Sequence, residues 1–124
     1  MIKKIKIGLI QSKSLGTIQS NIDLAIKNIK KAAKKKAKII CLPELFLTNY
    51  FCQTESHSNF KLAEKIPGKI SGVFCDLAKE LGVVLNITMF EKKTSGFFHN
   101  TSIIINENGN ILSKYRKMHI PDDP

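Results

Sequence analysis

Two spacings of apolar residues alternate along this chain. In "IKIGLIQ", Ile5 to Gln11, every second position is apolar, which predicts a first strand. Ile22, Ile26, Ile29 and Ala33 then recur at helical spacing, with Lys27, Lys30, Lys31, Lys34, Lys35 and Lys36 on the other side, so an amphipathic helix follows. Ser20 with Asp23 three residues later reads as a capping box opening that helix. Ile39, Ile40, Cys41 and Leu42 form a short apolar run that Pro43 ends, a buried strand. After it comes a stretch of roughly 15 residues rich in aromatic and polar side chains, longer than most connections and so a candidate functional loop. "IPGKISG" reads as a turn, Ser71 as the cap of a second helix with Phe74, Leu77, Ala78 and Leu81 on one face, and Gly82 as its left-handed end. Val83 to Phe90 predicts a third strand, and "HNTSIIIN" and "ILSKYRK" a hairpin turning at "ENGN".

Strands alternating with two helices predict an α/β layer architecture. With 124 residues, 43% of them hydrophobic, the chain is long enough for one globular unit, or part of one, with a real core. No apolar run approaches the roughly 18 residues of a membrane span, and the N-terminal apolar residues are interleaved with lysine, so a cytoplasmic protein with no membrane partner is expected. Cys41, Cys52 and Cys75 are an odd number without CxxC spacing, which argues for reduced thiols and against a disulfide framework or a zinc site.

A formal charge of +10 raises the question of nucleic acid. Much of the excess lies on the solvated face of the lysine helix, and Arg116 is the only arginine, whereas base readout and bidentate phosphate contacts favour arginine. No stacking module accompanies the charge, so a basic nucleic-acid-binding module is the lesser alternative.

Sites in open α/β sheets gather at the carboxyl ends of strands. Glu44 has that location, directly after Pro43, and Lys117 follows a strand in the same way. The two could converge on one site, within about 4 to 6 Å, or be a structural salt bridge or solvated charges.

The wording around them is more specific. "LPELFLTNYFC" and "YRKMHIPDDP", whose charged residues Glu44 and Lys117 are 73 apart, resemble the glutamate and lysine motifs of the nitrilase superfamily, the carbon-nitrogen hydrolases. The likeness is greatest to the amidase branch that includes N-carbamoylputrescine amidohydrolases. "KIGLIQ" and "HNTSIIINENGNIL" extend it over nearly the whole chain. The resemblance implies that residues 1–124 are a single partial domain, the N-terminal portion of an α-β-β-α sandwich. It implies Glu44 as general base and Lys117 as stabiliser of the tetrahedral intermediate; separately, no cofactor and no metal are expected.

Such chemistry suits these residue types. A thiolate that attacks an amide or carbamoyl carbon divides one hard hydrolysis into two easier steps. A carboxylate in an apolar setting, here Phe46, Tyr50 and Phe51, can carry the thiol proton to the departing ammonia. An ammonium aimed at the oxyanion is worth about 3 kcal/mol. The resemblance puts the nucleophilic cysteine, and a second acidic residue, in motifs beyond residue 124. Cys41 and Cys75 read instead as small buried thiols, and Cys52 as a packing or pocket-lining residue. The chain by itself is therefore expected to be inactive. An interaction domain retaining only the half-site is the further alternative.

Tyr50, Phe51 and His119 are substrate-binding candidates by their proximity to the two motif residues. His57 and His99 have no partner at ligand spacing and read as structural or exposed, and "GKISG" has no phosphate-binding pattern. The expected partners are a small amide or carbamoyl substrate and, because a half sandwich leaves one sheet face bare, either a second copy of the chain or the C-terminal portion of the domain.

Overall fold

The computed structural model describes residues 4–120. Five strands form one sheet in the order β1-β2-β3-β4-β5: β1 Ile7–Leu9, β2 Ile39–Cys41, β3 Val84–Thr94, β4 Phe97–Ile105 and β5 Ile111–Arg116. The first three are parallel, linked through α1 Ile18–Lys34 and α2 Lys69–Leu81, and the last three are antiparallel. The expected α/β class is the one found.

Side-chain parity decides which face carries the core. Along β3, Leu85, Ile87 and Met89 are buried while the residues between them are half-buried. With Ile40, Ile103 and Ile105 they form a single cluster with Ile22, Ala25 and Ile29 of α1 and Phe74, Leu77 and Ala78 of α2. Both helices therefore cover the same face. The opposite parity, Ile7 and Leu9 on β1, Cys41 on β2, Asn86, Thr88 and Phe90 on β3, Asn100, Ser102 and Ile104 on β4 and Tyr115 on β5, faces away from them. Leu9 is 80% and Tyr115 61% exposed, which marks this face as uncovered at its edges. Lys27, Lys30, Lys31 and Lys34 of α1, with Lys35 and Lys36 just past its end, are all exposed, as a solvated face requires.

Both helix starts lie earlier than expected. Thr17 caps α1, its Oγ1 accepting from the Ser20 N–H, so Ser20 is in the first turn rather than at the cap. Gly68 is the N-cap of α2, and Ser71 Oγ accepts from the Gly68 N–H at 2.8 Å from inside the helix. In each case the extended residue is the one three positions before the serine, and the serine reaches back to it. Four of the seven residues of "IPGKISG", Lys69 to Gly72, are thus helix. Gly82 closes α2 at φ 59°, in the left-handed region as expected. The first strand is shorter than Ile5 to Gln11 and the third longer than Val83 to Phe90, because β3 continues to Thr94 in a hairpin with β4. The long connection after β2 holds two short 3-10 turns, Phe51–Gln53 and His57–Leu62. Among the described residues, no helix is long and apolar enough to cross a membrane.

Candidate active site

β2 stops at Cys41, whereas β3 runs on past it, so the chain after Pro43 turns over the sheet at the carboxyl ends of the parallel strands. Leu45, Phe46 and Leu47 are all buried, and Leu45 holds a left-handed φ of 49°, a conformation that a branched residue keeps only where its surroundings impose it. The Leu47 carbonyl accepts from Asn21 Nδ2 of α1 at 2.8 Å, and Phe46 meets Phe74 of α2 edge to face. Three side chains directed into the core thereby turn Glu44 outward.

Lys117 arrives from the other side. Its backbone N–H donates to the Asn100 carbonyl at 2.9 Å, continuing the β4–β5 ladder one step past Arg116. Its Nζ stands 3.3 Å from Glu44 Oε1, closer than the expected limit of about 4 to 6 Å. Glu44 Oε1 also accepts from Asn100 Nδ2 at 2.7 Å. Glu44, Asn100 and Lys117 thus meet over the open face of the sheet.

The setting is less apolar than expected. The side chains of Glu44 and Lys117 are 45% and 38% exposed, because no described residues form a layer above the face they stand on. Tyr50 shares a hollow of about 190 Å³ with Glu44, Ser12 and Ser14. Negative charge on the Cys52 sulfur, then burial, then the Glu44 carboxylate push the Tyr50 phenol above its ordinary value, while Lys117 pulls the other way. Phe51 packs on Phe90 at 4.9 Å and lines a neighbouring cleft of about 820 Å³ with Phe60, His57 and Ile120. Phe90 pairs with Asn100 across the β3–β4 ladder, so this aromatic cleft adjoins the charged group. His119 is exposed and makes no hydrogen bond with any described residue. His57 is exposed and His99 half-buried.

Two of the thiols differ from expectation. Cys41 is half-buried, since it points to the open face rather than into the core, and Cys75 is likewise half-buried on α2, its thiol pushed up by burial and by Asp76. Cys52 is exposed.

Residues 6–124 match the sequence profile of the family described as Carbon-nitrogen hydrolase. The chain belongs to that family. An N-carbamoylputrescine amidase of Oryza sativa subsp. japonica is 36% identical over 122 residues, 98% of this chain and 40% of that protein. Omega-amidase NIT2-B of Xenopus laevis is 35% identical over 119 residues, 96% of this chain and 42% of that protein. A carbon-nitrogen hydrolase from Helicobacter pylori G27 superposes with a TM-score of 0.89 at 35% identity, over 95% of this chain and 41% of that one. An amidase from Nesterenkonia sp., at 20% identity and a TM-score of 0.74, shares the fold. This carbon-nitrogen hydrolase chain spans about 40% of the length of the curated relatives it matches.

Sequence reasoning assigned no role to Asn100, although "HNTSIIIN" contains it. The available signal was its residue type: asparagine is depleted in strands, and here one stands in a run of β-branched residues.

Proposed function

We propose that these residues are the N-terminal part of one carbon-nitrogen hydrolase domain, and that the complete site hydrolyses the C–N bond of a small amide or N-carbamoyl substrate. The observation that carries this reading is the 3.3 Å approach of Lys117 to Glu44 at two strand ends, 73 residues apart in sequence. Its support is the family membership and the amidase names of the relatives. In this reading a cysteine from outside residues 1–124 gives its thiol proton to the Glu44 carboxylate as its sulfur attacks the carbonyl carbon. The C=O electron pair moves to oxygen, where the Lys117 ammonium meets the growing charge. Collapse of the adduct breaks the C–N bond, and the nitrogen leaves with the proton that Glu44 held. Water then attacks the thioester, passing a proton through Glu44 back to sulfur, which restores the enzyme. Tyr50 and Phe51 line the pocket for the rest of the substrate, and His119 joins it once the open face is covered.

The test is ammonia release from amides and N-carbamoyl amines, with residues 1–124 alone and with the cysteine-bearing segment fused or added. Turnover is expected only with that segment. Lys117→Ala should lower kcat by about 10² to 10³ and Glu44→Gln by about 10² to 10⁴. Turnover by residues 1–124 unaided, lost in Cys52→Ala, would instead make the loop thiol the nucleophile.

A further inference from the structure

We propose that Asn100 is a positioning residue that selects which oxygen of Glu44 takes the proton and sets where Lys117 stands; this rests on the hydrolase reading above. Glu44 Oε1 accepts both from Asn100 Nδ2 at 2.7 Å and from Lys117 Nζ at 3.3 Å. Glu44 Oε2 accepts no hydrogen bond from any described residue, which leaves it as the oxygen open to an incoming thiol. A carboxylate held only by an exposed lysine is free to rotate and exchange its oxygens, because such pairs fix geometry weakly. Asn100 removes that freedom. It is 9% exposed, so water competes poorly for its amide, and its place on β4 is fixed by the pairing with Phe90. The same residue anchors Lys117 through its main chain, its carbonyl accepting from the Lys117 N–H at 2.9 Å. Side chain and backbone of one strand residue therefore define the separation of the two charged groups. The amide is also neutral. It orders the carboxylate without adding to the charge that Lys117 already supplies from the end of β5.

Two measurements test this, and the first requires no turnover. In a ¹H–¹⁵N spectrum the Asn100 side-chain amide should lie away from the exposed asparagines and return toward them in Glu44→Ala. An Asn100 amide indifferent to Glu44→Ala overturns the anchor, whether or not the protein is a hydrolase. The second compares Asn100→Ala with Asn100→Asp in the protein supplied with its cysteine segment. Misplacement of a catalytic group by about 1 Å costs about 10²-fold, so kcat should fall by about that factor in Asn100→Ala while KM stays within about twofold. Asn100→Asp keeps the volume but sets a carboxylate against a carboxylate, and should be at least as damaging. Near-normal kcat in Asn100→Asp, or a loss confined to KM, overturns the assignment. Ser102→Ala is the control on the same strand face, where Ser102 bonds only Asn86, and should leave kcat unchanged. An equal loss there would mean a general strand defect and would also overturn it. If the wild type with its segment releases no ammonia, the hydrolase reading fails, while the spectrum still decides the anchor.

Discussion

Glu44 and Glu91 are both carboxylates beside cations, and their surroundings separate their roles. Glu91 is 1% exposed and accepts from Arg116 Nε and Nη2, Lys114 Nζ and Thr101 Oγ1 at 2.7 to 2.9 Å. Burial alone would raise its titration point, but the bonds from Arg116, Lys114 and Thr101 outweigh it and hold the carboxyl at about 2. Because the folded value lies below the ordinary 4.5, the ionised form contributes stability above that pH and the contribution is lost as pH falls toward 2. The shift corresponds to about 3 kcal/mol. Glu91→Gln should therefore destabilise by about 3 kcal/mol or more at pH 7, and urea unfolding of variant and wild type should converge near pH 2. A constant difference between the two from pH 7 to pH 2 would refute this. Only one of these glutamates was legible in the sequence. Glu44 stands conspicuously behind Pro43 at the end of an apolar run, whereas Glu91 opens the polar stretch "EKKT", and its partners come 23 and 25 residues later on β5.

At the scale of elements, the periodic segments were readable and their ends less so. Helical spacing located α1 and α2 because each buries one stripe, but both starts were placed late: serine is a cap residue by propensity, and here it serves from the first turn. Both strands of the β3–β4 hairpin were expected but not its turn end, because Glu91, Lys92 and Lys93 read as a loop until the ion pairs that bury Glu91 are known. The ends make a graded prediction. Gly82 is left-handed with open space around it, so Gly82→Ala should cost only the backbone strain, about 1 to 2 kcal/mol. Gly109 is also left-handed, at φ 83°, and a Cβ there would come to 2.6 Å from the Cys75 carbonyl of α2. Gly109→Ala should cost clearly more, because helix and hairpin turn must also separate. Thermal denaturation of the two variants should give a larger fall in midpoint for Gly109→Ala, and the reverse order would contradict the packing argument.

For the whole molecule, the one-sided sheet governs behaviour in solution. Its helix-covered face holds the continuous core, while Ile7, Leu9 and Tyr115 are exposed on the other. An apolar face of this kind associates, so sedimentation of residues 1–124 should show species heavier than 13.9 kDa that dissociate on dilution or on adding the cysteine segment. A stable monomer at all concentrations would speak against it. The charge of +10 acts over the same scale. Duplex DNA should be held weakly at low salt, without sequence preference, and released as salt rises from 50 to 200 mM, when about 6 phosphate contacts lose about 10³ in affinity. Selective retention at the higher salt would point to a nucleic-acid function. The site and the Glu91 cluster, finally, lie back to back. Asn100 and Lys117 serve one face, and their chain neighbours Thr101 and Arg116, which pair with each other, serve the other. Substitutions can be absorbed on either face separately, but one residue added or removed inside β4 or β5 would turn the groups on one side of it to the opposite face. A change of length inside these two strands should therefore cost more than a substitution on either face.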